Sequence, residues 1–302
     1  MQEAPTLTAP VAKQQADSRT RRAEVSRVCV LVACLLIIYA PVLTTLVRQW
    51  WNEPDYSHGF LVPLFSAYLL WRRRDELRQV PRNPSWIGML LLCASLCVLF
   101  VGSLGAELFL QRISLLGVIA GLVIWLCGEK MLRTAAFPLA LLLLMIPLPG
   151  VIYYQLVIPL QALASQLAAS FLHAINLFPI HREGNVIVLS SMSLEVSEAC
   201  SGIRSVFSLL TITAIYAYLA ERDNLIRWML CLMTFPIAVA GNAGRVVFAA
   251  ISAELAGASA VEGWSHFLSG LFLFFFSTLL IVLSHAILVG IRHGIGACRR
   301  PA

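Results

Sequence analysis

The sequence predicts an all-α polytopic membrane protein with about eight transmembrane helices, both termini in the cytoplasm and a short extracytoplasmic hairpin before the sixth main span. Three observations carry that prediction. First, 59% of the 302 residues are hydrophobic and only 13% are charged, against about 45–50% and roughly 25% in a soluble domain. Second, the apolar residues fall into runs of about the 20 residues needed to cross a bilayer. Third, the basic residues sort to one side of those runs.

Taken in order, the chain begins with a polar tail, residues 1–27. The apolar run from Val28 has no small-residue cleavage site after it, so the first helix is expected to be a retained anchor. The expected spans are 28–47, 57–71, 86–104, 108–127, 134–149, 203–220, 226–248 and 264–289. Together they make a transmembrane domain of residues 28–290, followed by a basic tail, 291–302. Residues 150–178 are apolar but carry Pro159, Gln155, Gln161, Gln166 and His173, and are expected to form an interfacial or re-entrant helix. The loop "HREGNVIVLSSMSLEVSEAC" (181–200) alternates apolar and polar residues, which predicts a β-hairpin turning near Ser190 and Ser191. Such a hairpin could cover a site or pair with an extended substrate segment.

With the N-terminus inside, 17 of the 22 lysines and arginines fall in cytoplasmic segments, as the positive-inside rule requires. The exceptions are Arg48, Arg112, Arg182, Arg204 and Arg245. The net charge of +6 is thereby accounted for by short loops between spans, which excludes nucleic acid as the expected partner. No metal-ligand spacing, phosphate loop or dinucleotide fingerprint is present, so no cofactor is expected.

Polar groups cluster at the outer boundary of the last three spans. Six of the eight cysteines lie inside spans and Cys298 in the tail, where thiols act as small hydrophobes. Cys200 instead stands just before span six, with no outer-loop cysteine to pair with. Asn242 and Arg245, three apart and so on one helix face, end span seven among Gly241, Ala243 and Gly244. Glu262 and His266 begin span eight. A thiolate is a nucleophile whose pKa a nearby cation lowers; a histidine can carry its proton; an arginine can stabilise an oxyanion. Singly, Arg245 reads as a snorkelling headgroup contact and His266 as an interhelical hydrogen bond. Three such groups at one depth read as a site. Glu198 is placed either to pair with Arg204 or to orient His266, and His58, with Ser57 at the outer start of span two, either to meet substrate, to carry a proton or to pack.

"EACSGIRS", "GNAGRVV" and "GWSHFLSG", following "DYSHGFLVP" and "WRRR", resemble the exosortase/archaeosortase family over about residues 28–290. The resemblance implies a membrane cysteine transpeptidase of a bacterial cytoplasmic (inner) membrane with its site on the extracytoplasmic face. Cys200 would be the nucleophile, Arg245 the essential arginine and His266 the histidine. It also implies the partners: exported proteins with a C-terminal signal of a Pro-Glu-Pro-like motif, a membrane helix and an arginine-rich tail, and a membrane lipid or glycolipid acceptor. Two other readings stay open. "ACSG" lies one residue from the Gly-x-Ser-Gly pattern of rhomboid-type serine proteases, with Ser201 as nucleophile. A transporter or envelope scaffold would use Arg245 and His266 for binding alone, although the internal repeats frequent in transporters are lacking.

Overall fold

A computed structural model describes residues 9–196, 201–257 and 264–298. The chain divides into two compact units, residues 1–48 and 49–302. The first is most of helix α1 (Ala9–Asn52), whose apolar part is Val28–Asn52. Pro41 lies within it and cannot donate a backbone hydrogen bond. The Thr44 hydroxyl donates to the Pro41 carbonyl at 2.9 Å.

The second unit begins with the last turn of α1 and a 3-10 segment, Pro54–Phe60, which runs into α2 (Leu61–Arg72) and a short α3 (Arg74–Gln79). Helices α4 (Trp86–Leu104) and α5 (Leu108–Cys127) form a tight hairpin. Small residues set its spacing, as in membrane helix pairs generally. A Cβ on Gly121 would lie 2.8 Å from the Leu92 nitrogen, and one on Gly88 would overlap the Trp125 backbone. Gly128, at φ +97°, ends α5 and its N–H closes on the Ile124 carbonyl at 2.9 Å, a conformation that suits glycine alone.

Short pieces follow: α6 (Glu129–Thr134), α7 (Ala136–Leu141) and a 3-10 turn, Leu142–Met145. They pack against α2, and the Ser66 hydroxyl donates to the Pro138 carbonyl at 2.7 Å. Helix α8 (Gly150–Ile175) then leads through the left-handed Asn176 to an antiparallel sheet of β1 (His181–Glu183), β2 (Val186–Val188) and β3 (Ser193–Glu195). The predicted hairpin is present, turning between Leu189 and Met192. A second two-residue turn at Gly184 and Asn185 adds the third strand. The chain ends in α9 (Ile203–Ala220), α10 (Asn224–Ala256) and α11 (Trp264–Cys298).

Among the described residues, seven helices are long and apolar enough to cross a membrane: Val28–Asn52, α4, α5, α8, α9, α10 and Leu268–His293 of α11. This differs from the eight expected in three places. The stretches 57–71 and 134–149 hold helices too short to count alone: the first is shared between the 3-10 segment and α2, the second between α7 and the 3-10 turn, with Pro147 and Pro149 in the non-helical residues that follow. Residues 150–178, expected to be interfacial or re-entrant, contain one unbroken helix of 26 residues that meets the length and composition of a span. Its polar residues do not interrupt it, since Gln155, Gln166 and His173 lie on the exposed face while Val157, Ala164, Ala168 and Leu172 face inward.

Two packing centres organise the unit. In one, the inward face of α8 meets Ile187 of β2, Leu189 just after it, and Val246, Ala250 and Ala253 of α10. At about 1.5 Å per residue, the 33 residues of α10 run about 50 Å, longer than the ~30 Å hydrocarbon core. Its final turns are those that carry the sheet. In the other, at the opposite end of α10, Arg73 donates to the Tyr218 hydroxyl and the Thr134 carbonyl, each at 2.8 Å. Tyr218 stacks on Phe137 with ring centroids 3.8 Å apart. Arg292 pairs with Asp223 at 3.0 Å. Glu221 accepts the N–H groups of Arg222 and Asp223, and those backbone bonds hold its carboxyl below the usual range. Segments that the basic-residue distribution groups on one side are thus the ones that touch.

The α4–α5 contact leaves no room for added side-chain bulk, so Gly121→Val is expected to cost about 1–3 kcal/mol through overpacking. The check is the midpoint of thermal unfolding in detergent, followed by fluorescence-detected size exclusion. A midpoint equal to wild type would mean that the helices separate without cost.

Candidate active site

The start of α9 defines the site. Gly202 has φ +84°, and a Cβ there would lie 2.7 Å from Cγ of Asn242. Only glycine fits both the left-handed turn and the close approach. Ser201 and Asn242 are buried beside it, and the Ser201 hydroxyl accepts a long 3.4 Å hydrogen bond from the Ile203 N–H. One turn along α10, Arg245 lies against α11: a Cβ on Gly270 would be 3.3 Å from the guanidinium carbon. His266 occupies α11 one turn before Gly270, hence the same helix face. Ser205, Asn242, Arg245 and Ser277 also line a space of about 20 Å³ between α9, α10 and α11, enough for one water.

Cys200, Glu198 and Glu262 lie outside the described residues, as does the side chain of His266. What the structure does bring together is the residue pair that follows Cys200, the face of α10 that carries Asn242 and Arg245, and the first turns of α11.

Glu198, for which the sequence offers either Arg204 or His266 as partner, lies outside the described residues; among those described, Arg204 pairs with Asp55. Arg204 Nε donates to Asp55 Oδ1 at 2.8 Å, and the other carboxylate oxygen accepts from the Tyr153 hydroxyl at 2.6 Å. Asp55 therefore ties the 3-10 segment to α9 and α8 at once. His58 sits in the same segment, 7% exposed. Its Nε2–H donates to the Leu144 carbonyl at 3.1 Å, and its ring stacks on Phe207 at 6.4 Å. Of the three roles left to it, packing is the one these contacts describe. Beneath it, Gly59 leaves room for Trp50, whose indole N–H donates to the Met145 carbonyl at 2.9 Å. The residues of "DYSHGFLVP" thus bolt the last turn of α1, the turn before α8 and the start of α9 into one piece.

Above this bolt lies a cavity of about 660 Å³, lined by Glu53, Asp55, Tyr56, Glu107, Arg112, Tyr153, Tyr154 and Arg204, with Pro54, Pro147 and Pro149 in its walls. Burial, then the charges of Glu53 and Asp55, push the Tyr56 hydroxyl up to about 12, so it remains a hydrogen-bond donor at any physiological pH. Asp55 and Tyr153 are not among the residues to which the sequence points, and Arg112 is named there only for its place in the charge distribution. Asp55 was visible as the carboxylate of "DYSHGFLVP", and Arg112 as a basic residue on the wrong side of the charge distribution.

The sequence model of the transmembrane exosortase family matches residues 50–283, a stretch that includes the 3-10 segment, the cavity lining apart from Gln49, α9, α10 and the part of α11 up to residue 283. The chain belongs to the transmembrane exosortase family. No curated protein and no solved structure matches it. For this exosortase, the family assignment covers the multi-pass helical architecture and the membrane location.

The Asp55–Arg204 pair is partly solvated, with 43% of the Arg204 side chain exposed, so its coupling is expected to be modest. Asp55→Asn and Arg204→Gln should each lower thermal stability, and the double variant should be less destabilised than the sum by about 1 kcal/mol. Strict additivity in a double-mutant cycle in detergent would show that the pair is not coupled.

Proposed function

We propose that this exosortase is a cysteine transpeptidase of the cytoplasmic membrane, working at the extracytoplasmic ends of α9, α10 and α11. The single observation that carries the reading is the contact of Gly202 with Asn242 together with that of Arg245 with Gly270. Three chain segments that bear a thiol, a cation and an imidazole, and that are far apart in sequence, converge on one another. The site sits beside a cavity large enough for a substrate segment, within the ~300–1,000 Å³ of ordinary ligand pockets.

The chemistry follows from the groups. The Cys200 thiolate attacks the scissile carbonyl of an exported protein held by its C-terminal signal, and the carbonyl electron pair moves onto oxygen. Arg245 stabilises that oxyanion. The intermediate collapses, the C–N bond breaks, and His266 gives its proton to the departing amine. A thioester on Cys200 remains, and the released fragment is the membrane helix with its arginine-rich tail. An amine of an envelope lipid or glycolipid then attacks the thioester and gives its proton to His266, and the C–S bond breaks to leave an amide, the Cys200 thiolate and a protonated His266, the state from which the cycle began. The protein needs no cofactor for these steps. Asn242, packed under Gly202, acts as a positioning residue for the loop that carries the nucleophile. Burial of Ser201 and its hydrogen bond to Ile203 suit a structural hydroxyl better than a nucleophile.

Co-expression with a tagged protein bearing the three-part signal tests the reading, with the target's size followed on a gel. Cys200→Ala and Cys200→Ser should abolish shortening, while Ser201→Ala should retain it. Arg245→Gln should slow it about 10²–10³-fold, the usual effect of removing one oxyanion donor. Normal processing by the Cys200 variants, at matched membrane abundance, would overturn the proposal. A requirement for Ser201 instead would favour a serine mechanism.

A further inference from the structure

Helix α8 has the length and composition of a span, but its two ends are held at the same end of the bundle. In its first turn the Tyr153 hydroxyl donates to Asp55, which also accepts from Arg204 in the first turn of α9. Its second half, from Ala164 to Leu172, packs with Ile187 of β2 and with Val246, Ala250 and Ala253 of α10. The start of α9 is seated on Asn242 of α10 through Gly202. Both ends of α8 therefore belong to the site end of α10, whereas Arg73, Tyr218, Asp223 and Arg292 gather at the other. A helix that crossed the bilayer would have one end at each.

Depth follows from α10. Measured from Asn224 at about 1.5 Å per residue, Val246 lies ~33 Å along the helix and Ala253 ~44 Å. The hydrocarbon core is ~30 Å thick and the membrane with its headgroups ~40–45 Å, so the α10 residues that carry α8 fall in the outer headgroup layer. The faces of α8 suit that layer. Residues 150–175 contain no Asp, Glu, Lys or Arg, and Val157, Ala164, Ala168 and Leu172 are buried. On the surface left over, Leu156, Leu163 and Leu167 make one exposed stripe and Gln155, Gln166 and His173 another, about 90° round the helix. None of those three polar side chains has a hydrogen-bond partner among the described residues. An amide left facing hydrocarbon is costly. At the interface it meets water, while the leucines beside it enter the acyl boundary.

We propose that α8 is an interfacial helix lying on the outer leaflet, with phospholipid acyl chains against Leu156, Leu163 and Leu167 and water against Gln155, Gln166 and His173. Lipid is the occupant because α10 carries α8 to the depth where acyl chains end. The helix also lacks the charges with which to select an anionic headgroup or a charged protein partner, so apolar burial alone holds it there. The element that brings Tyr153 to Asp55 and leads into the sheet is thus positioned by the leaflet as well as by protein. The inference is independent of the chemistry proposed for Cys200, and its test requires no turnover.

The test is labelling of full-length Cys200→Ala protein in right-side-out membrane vesicles with a membrane-impermeant maleimide. The remaining cysteines lie in apolar runs or in the basic tail, and the parent protein should stay unlabelled. Gln155→Cys, Gln166→Cys and His173→Cys should all label from outside. Leu163→Cys and Leu167→Cys should label about tenfold or more slowly, since a thiol ~5–10 Å into the acyl boundary is neither reached nor ionised. Leu163→p-benzoylphenylalanine should photo-cross-link to phospholipid, read by mass spectrometry. Labelling of His173→Cys only after permeabilisation would overturn the proposal, because α8 would then cross the bilayer. So would equal labelling of the two stripes, which would stand α8 clear in water. A cross-link from position 163 to protein would also overturn it, by making a second chain the occupant. The positions are read separately, so loss of one variant to misfolding leaves the others to decide.

Discussion

The carboxylate of Asp55 is the constraint on which the rest of the site depends. Its two oxygens serve two partners, Arg204 on α9 and Tyr153 on α8, so one side chain fixes the angle between a turn and two helices. The chain around Asp55 has no long helix to hold it, and the 3-10 segment gains its position from contacts rather than from its own backbone bonds. Trp50, His58 and Gly59 complete the junction with a carbonyl, a ring face and an empty space. The start of α9 is therefore set from below by Gly202 on Asn242 and from the side by Asp55.

This division of labour explains the composition of the helices. Where α4 meets α5, and where α10 meets α11 at Gly241 and Ser277, small residues let backbones close up. Without a hydrophobic drive between helices in lipid, such close packing is the main source of association. Large apolar residues point outward instead, as Phe272 at 69% exposure illustrates. Polar anchoring is kept for the two ends of the bundle: the arginine-rich network around Glu221 and Tyr218 at one, and the cavity with its arginines and tyrosines at the other.

The α10 side of the candidate site was legible in the sequence because a charge or an amide inside an apolar run has no cheap explanation. Asn242 and Arg245 stand out on that ground, and their spacing already put them on one face. The β-hairpin was legible from its alternation, apart from the first turn at Gly184. Sequence alone offers Arg204 a partner only in near neighbours such as Glu198, six residues away. Its partner Asp55 lies 149 residues off, and nothing local announces such a pairing. The span count suffered from a related blindness. In sequence Gln155, Gln166 and His173 mark an interfacial or re-entrant helix, whereas they lie on one side of a continuous helix of span length.

That separation of 149 residues has a consequence for biogenesis. At roughly 5–20 residues per second, a ribosome needs about 7–30 s after making Asp55 to deliver Arg204. Throughout that interval the half-built protein carries a carboxylate at the lip of a helix with its cationic partner still unsynthesised. Assembly of this region is therefore post-insertional: the early helices must wait in the bilayer, and the junction forms only when the last third of the chain threads in to close it.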